Sequence, residues 1–415
     1  MKYVIFSYNF LPQADAEAYC ATRFASALAG AGHDVTVVTM DWPKGVADRT
    51  YQALVDDRLK IVRVPFGRKT TKLDMLRFRL RSYDVANVPV CVAAVKKILG
   101  ENRDSILVTR SLPILSLMVG WYCRKYARLW ISHLSDPVPF QLNGGGKRLN
   151  DRIGRMWVDA WMHRSFRDAD ATSVTCHRVC RYFADHFGNV VRRAYCFETT
   201  HIGDQKLSRP MAIVGPKRAG EEKILLHPGT TQRSRRPNDV LEAIEALNRD
   251  GVNARFVQIG HVDADLGEGK RSRLFGSSFA TVYEDISPEK NVELLASADA
   301  VVVPDTYLGS ELSYSPFILS KFVYQLFDNK PMVLYVKPDS AMADYARWYP
   351  EAGIFVAEAD KAESLKSAIR QAFVCDPSRI DRSRIRRAFS AELISRKFDA
   401  HVEMLLSRKG MGDRV

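Results

Sequence analysis

The sequence predicts an α/β protein made of two doubly wound parallel sheets in tandem. Three observations carry that prediction. Short β-branched runs alternate with segments of helical spacing along nearly all 415 residues, and such alternation calls for crossover helices between parallel strands. The alternation is broken once, at 204–222 (DQKLSRPMAIVGPKRAGEE), by Lys, Pro, Gly and Glu, which reads as an interdomain connection. The length also suits two or three domains of roughly 100–200 residues.

The first strand is KYVIFSY at 2–8, read as a strand and not as a signal peptide because it lacks a small-residue cleavage site. A loop with Pro12 leads into AEAYCATRFASALAGAG, where Tyr19, Phe24 and Leu28 keep helical spacing and Gly30 and Gly32 end the run. VTVVT at 35–39 follows, closing a βαβ unit. Further strands are predicted at 61–64, 106–109, 129–133 and 172–175. After the connection come strand 223–229, helix 237–249, strand 254–260, a strand near 280–283, helix 288–297 and strand 300–304. Helix 317–328, strand 331–336, strand 354–356 and helix 361–373 complete the second series. A last amphipathic stretch, 382–407, suits a helix. The domains are therefore drawn at 1–203 and 204–385, with 386–415 packing back on the first. Two such domains facing a central cleft would hold a ligand at the carboxyl ends of their strands, and closure would exclude water.

Apolar content of 46% describes a folded globular chain, and no apolar run approaches the ~20 residues of a membrane span. Seven scattered cysteines fit reduced thiols in the cytoplasm. The net charge of +13 is uneven: residues 1–200 hold 30 Lys+Arg against 18 Asp+Glu, and the remainder is nearly balanced. The densest basic part is 68–81, RKTTKLDMLRFRLR, with Leu73, Leu76, Phe78 and Leu80 between the charges. Lys72, Arg77, Arg79 and Arg81 are candidate contacts to anionic lipid, and a solvated basic helix is the plainer reading. No zinc finger or RNP signature supports nucleic-acid binding.

Several segments carry a resemblance. FLPQADAEAYCATRFASALAGAGHDVTVVT (10–39) resembles the opening of family-4 glycosyltransferases. HPGTTQRSRRPNDVLEAIEAL (227–247), ASADAVVVP (296–304) and SPFILSKFVYQLFDNKPMVLY (315–335) resemble their donor-binding half. RLWISHLSDP (128–137) and RSFRDADATSVT (164–175) are similar as well, and the pieces run in family order. The resemblance implies the GT-B architecture and a retaining, metal-independent enzyme using a nucleotide-sugar donor.

A leaving nucleoside diphosphate develops negative charge that Arg, Lys and helix N-termini can neutralise. Arg235 lies six residues after Gly229, the family's spacing for a phosphate-binding cation, with Arg233 and Arg236 flanking it. Ser320 and Lys321 open a helix, where relatives hold the diphosphate. Tyr324, Ser315, Phe317 and Glu311 are candidates for the nucleotide and its ribose. The family's paired glutamates fall on Pro316 and Tyr324, so the usual grip on ribose is lost, and Glu311 and Asp305 are the nearby carboxylates available to replace it. The glycine that relatives place after this helix is Asn329.

In the first half, Gln13, Ala14, Asp15 and Ala16 stand where relatives carry a glycine pair, and Gln13 and Asp15 are the loop candidates. His133 and Asp136 are the catalytic candidates, placed where relatives face the transferred sugar. His201 and Asp204 lie at the expected junction. A buried, satisfied histidine and an Asp-Pro turn are the competing readings of His133 and Asp136.

Asp168-Ala-Asp170 and Asp263-Ala-Asp265 imitate a metal motif but fit a helix end and a polar loop. Cys176, His177 and Cys180 lack a second ligand pair, and Gly144-Gly145-Gly146-Lys147 lacks the strand and Ser/Thr of a phosphate loop. No metal and no cofactor are expected, the nucleotide-sugar, first of all a UDP-sugar, being a substrate. The expected enzyme is a glycosyltransferase of bacterial surface polysaccharide or glycolipid synthesis, acting on a lipid-linked or saccharide acceptor at the inner face of the cell membrane. A nucleotide-sugar 2-epimerase and a non-catalytic nucleotide-sugar-binding scaffold are the alternatives. A dehydrogenase is disfavoured because no G-x-G-x-x-G follows a strand.

Overall fold

The computed structural model describes residues 1–13, 15–41, 54–65, 85–110, 114–136, 149–203, 220–231, 235–284, 286–306, 308, 312–316, 318–359 and 361–412. The chain forms two compact units, Met1–Ile202 with Ala391–Val415, and Gly203–Ser390.

The first unit is a seven-stranded, wholly parallel sheet of order β3-β2-β1-β4-β5-β6-β7. Its strands are β1 (Lys2–Phe6), β2 (Asp34–Asp41), β3 (Lys60–Pro65), β4 (Ile106–Arg110), β5 (Leu129–Leu134), β6 (Ala171–Val174) and β7 (Cys196–Glu198). The central strands are buried on both faces, which explains their unbroken apolar sequence. One face packs on helix Ala16–Gly30 through Phe24 and Leu28. The other is covered by helices Val88–Glu101, Leu115–Cys123 and Leu149–Asp168.

The C-terminal helix, Ala391–Gly412, belongs to this unit. Ile394, Phe398, Val402 and Leu405 enter the core beside Phe24 and Phe197, each burial stabilising by about 1.5–3 kcal/mol. Asp399 fastens the same helix to the start of the sheet. It accepts from Tyr3 Oη at 2.8 Å and pairs with His33 Nε2 at 2.8 Å.

The second unit repeats the design with six parallel strands, order β10-β9-β8-β11-β13-β15. They are β8 (Lys223–Pro228), β9 (Ala254–Ile259), β10 (Ala280–Tyr283), β11 (Ala300–Pro304), β13 (Met332–Val336) and β15 (Ile354–Glu358). A short parallel pair, β12 (Tyr314–Ser315) with β14 (Asp339–Ser340), lies apart from that sheet. Helix Pro237–Arg249 begins with Pro at its first turn, where the missing N–H costs nothing, and buries Val240, Leu241, Ile244 and Leu247. The predicted helix 317–328 is observed only as Ser320–Gln325. The chain must leave helical geometry before Pro331, and Asp328 and Lys330 give their carbonyls to Arg382. Strand β7 and the β12–β14 pair, each of two or three residues, were not predicted.

No helix among the described residues is long and apolar enough to cross a membrane. The basic segment 68–81, with Lys72, Arg77, Arg79 and Arg81, lies outside the described residues, as does Gly144–Lys147.

Candidate active site

In a doubly wound sheet the ligand site forms where neighbouring strands run on to opposite sides, at their carboxyl ends. That point falls between β8 and β11 in the second unit and between β1 and β4 in the first.

In the second unit β8 turns at Gly229, whose φ of +134° favours glycine. A Cβ there would meet Lys321 Nζ at 2.1 Å. Arg235 donates through Nη1 to the Thr230 carbonyl at 2.8 Å and through Nη2 to Thr306 Oγ1, just beyond β11, at 3.4 Å. Lys321 donates to the same Thr230 carbonyl at 3.3 Å. Two cations from separate elements thus meet at the switch point. Burial brings the Arg235 pKa down to about 10, with Asp305 opposing the shift. Burial and then the Arg235 charge hold Lys321 well below the ordinary lysine range. Both penalties fall when an anion arrives, so the pair favours negative charge at this point.

His227, at the end of β8, is buried beneath this turn. Gln258 Nε2 donates to the carbonyls of Gly229 at 2.7 Å and Ile259 at 2.9 Å, which leaves Gln258 Oε1 as an acceptor. His227 Nδ1, 2.7 Å from that oxygen, is therefore the protonated nitrogen. Its Nε2 has no partner among the described residues, and neither does Arg235 Nε. Burial, then Lys321 and Arg235, keep His227 neutral.

In the first unit Arg110, at the end of β4, is 3% exposed and donates through Nε to Glu17 Oε1 at 2.9 Å. Ser135 Oγ donates to Glu17 Oε2 at 2.9 Å. Asp136 follows at the end of β5, and burial, then the Glu17 charge, push its pKa up to about 6 against His201 and Arg110. The arrangement is Glu17 held by Arg110 and Ser135 beside a carboxyl group, Asp136, whose proton is retained to higher pH.

Residues 17–195 match the sequence model of the glycosyl transferase 4-like domain. That likeness falls wholly within the first unit. No curated protein sequence matches the chain. Among solved structures it is similar to sucrose-phosphate synthase from Thermosynechococcus elongatus, at 18% identity and TM-score 0.68, over 98% of this chain and 99% of that one. It is also similar to E. coli trehalose-6-phosphate protein bound with UDP-2-fluoro glucose, at 11% identity and TM-score 0.59, over 98% and 99%. A mutant of S. aureus TarM, in complex with UDP and alpha-GlcNAc-glycerol, matches at 13% identity and TM-score 0.60, over 98% and 99%. At these identities the likeness establishes the fold: GT-B, two Rossmann-like domains.

Within this GT-B chain, Arg235 and Lys321 are brought together and Ser320 opens the helix that carries Lys321. Tyr324 lies one turn further along that helix, half-buried. Ser315 is fully buried in β12, and its Oγ has no partner among the described residues. Arg233, Phe317 and Glu311 lie outside the described residues.

In the first unit His133 is 2% exposed. Its Nδ1 is 2.8 Å from Ser173 Oγ, and its ring stacks on Phe24 at 6.2 Å. Burial, then Arg110 and His201, hold it neutral. Asp15 serves as N-cap of helix Ala16–Gly30, accepting from Ala18 N at 2.7 Å. Gln13 closes the preceding turn on Phe10 O at 3.1 Å, and its buried Oε1 has no partner among the described residues. Sequence reasoning missed Glu17, Arg110 and His227. A signal for Arg110 exists, because a charge closing the apolar run ILVT marks a carboxyl strand end.

Asp168 and Asp170 are engaged structurally, Asp168 with Arg167 and Trp121, and Asp170 with Trp130 N and Lys409. Among the described residues no group of His, Cys, Asp and Glu has the geometry to hold a metal ion.

Proposed function

We propose that this chain is a glycosyltransferase that moves a sugar from a nucleotide-sugar, a UDP-sugar in the first instance, to an acceptor hydroxyl. The observation that carries the reading is the convergence of Arg235 and Lys321 on the Thr230 carbonyl at the switch point of the second unit. A diphosphate there would accept from the Arg235 fork and the Lys321 ammonium, and Ser320 adds a hydroxyl donor. Both cations strengthen their hold as the leaving diphosphate gains charge, so catalysis by these residues is expected to continue in chelator. Tyr324 would hydrogen-bond the ribose in place of the family's glutamate.

Asp136, with Glu17 and Arg110, is the polar group of the first unit assigned to the transferred sugar, and neutral His133, on the same strand, is held by Ser173 and Phe24. Transfer with retention follows from this reading. The acceptor oxygen bonds to the anomeric carbon on the face from which the diphosphate departs, and the leaving phosphate takes the hydroxyl proton. A lipid-linked or oligosaccharide acceptor in bacterial surface polysaccharide or glycolipid assembly, with the protein held peripherally on the inner membrane face, suits the basic first half.

The test is release of nucleoside diphosphate from a panel of nucleotide-sugars in the presence of a membrane lipid extract, with and without EDTA. Turnover of one donor in EDTA, with the anomeric configuration kept in the product, is expected. Binding of a nucleotide-sugar without turnover on any acceptor would favour the scaffold reading. Conversion of the donor to its 2-epimer without acceptor would favour the epimerase.

A further inference from the structure

The three helices covering the second face of the first sheet carry an aromatic group on their outer side. Trp121, Tyr122 and Trp157 all surround Trp161, with ring centroids 5.9, 6.2 and 6.0 Å away. Trp161 is buried, but Tyr122 is 44% exposed, as are Tyr126 (43%), in the turn after its helix, and Met156 (71%), the helical neighbour of Trp157. Cations lie over the rings. Arg124 is 4.3 Å from the Trp121 centroid, Lys96 4.9 Å from Tyr126 and Arg164 4.9 Å from Trp161.

The carboxylates beside this group are shared with other cations, and Asp168, which also feels the Arg124 charge, is the one that meets the rings directly. Asp168 is paired with Arg167 and accepts from Trp121 Nε1 at 2.6 Å, and Asp159 faces His186 Nε2 at 3.5 Å. Apolar rings with polar edges, and long basic side chains whose stems lie on those rings, are the chemistry of a lipid headgroup layer.

We propose that this aromatic and cationic face is a docking surface for the headgroup layer of an anionic bilayer. Tyr122, Tyr126 and Met156 would enter the boundary between headgroups and acyl chains, while Lys96, Arg124 and Arg164 meet lipid phosphates. The proposal extends the membrane part of the proposed function, on which it rests, and places docking on the fold itself. A protein partner would need no preference for anionic lipid, and that difference makes the alternative an outcome of the test.

The experiment is co-sedimentation of the full chain with phosphatidylcholine vesicles, with and without phosphatidylglycerol. It compares wild type with the triple variant Tyr122→Ser, Tyr126→Ser, Met156→Ser, whose sites lie at the surface. Wild type is expected to bind only the anionic vesicles, and the variant to bind at least about tenfold more weakly at an unchanged melting temperature. Brominated lipid should quench wild-type tryptophan fluorescence, a readout that holds even if the variant fails to fold. Equal binding by both proteins, or no quenching on bound vesicles, would overturn this surface while leaving membrane association through another segment intact. Failure of wild type to bind anionic vesicles would overturn both ideas and leave the donor site untouched.

Discussion

Arg382 offers the sharpest test of how the donor-side unit is held together. Its guanidinium is buried and donates to the carbonyls of Ala352 at 2.8 Å, Gln325 at 2.9 Å and Lys330 at 2.6 Å, and to that of Asp328. Burial first, then Arg386, brings its pKa from 12.5 to about 9, a desolvation cost of roughly 5 kcal/mol. Each bond from a charged donor returns about 1.5–3 kcal/mol, so four outweigh that cost by a few kcal/mol. Arg382→Met removes the gain and takes this donor from the Ala352, Asp328 and Lys330 carbonyls, that of Gln325 keeping Asp328 N, and it should destabilise the unit by about 3–5 kcal/mol. Arg382→Lys should rescue little, because one ammonium cannot reproduce the planar fork. The assay is hydrogen exchange of β11 and β13 amides, which isolates the second unit from the first where a whole-chain melt would blend them. A loss under about 1 kcal/mol would show that burial cancels the bonds and refute the reasoning. Gln325 and Asp328 directly follow or end the helix bearing Lys321, so Arg382→Met should also weaken nucleotide binding.

Three further outcomes are expected. Gly229→Ala places a Cβ 2.1 Å from Lys321 Nζ at a φ of +134°, so calorimetry should show nucleotide binding weakened about tenfold or more, with about 1–2 kcal/mol of stability lost. Asp136 is an acid whose folded pKa, about 6, lies above its ordinary 3.8, so the folded state binds its proton more tightly. Its contribution is therefore full below about pH 4 and lost as pH rises to about 6, roughly 3 kcal/mol in all; Asp136→Asn should abolish that slope in pH-dependent unfolding and shift the acid limb of the activity profile. Gly203→Ala would set a Cβ 1.8 Å from Phe327 Cε2, and its melting temperature should fall by several degrees.

The sheet strands were legible because parallel strands buried on both faces read as apolar runs, and most predicted ends fall within two residues of those observed. Helix Pro237–Arg249 was equally plain, with Pro at its start and apolar residues every three or four positions. Less was legible where few residues or distant partners decide. β12 and β14 are too short to show a period, and the end of helix Ser320–Gln325 depends on carbonyls claimed by Arg382, over 50 residues away.

At the site, spacing after Gly229 pointed to Arg235 and the Ser-Lys pair to Lys321, and in the structure both side chains reach the Thr230 carbonyl. Glu17 and Arg110 meet only through tertiary folding, from positions 93 residues apart, and no local pattern pairs them. His133 showed its strand-end position in sequence, but its Ser173 and Phe24 contacts come from other elements.

The central claim is that Arg235 and Lys321 hold the diphosphate of a nucleotide-sugar. Calorimetric titration of UDP, and of the other nucleoside diphosphates, into wild type and Arg235→Ala/Lys321→Ala in EDTA tests it most directly. One nucleotide is expected to bind wild type in chelator, with affinity reduced at least about a hundredfold in the folded double variant. Equal binding by the two proteins, or no binding to a folded wild type, would contradict the claim.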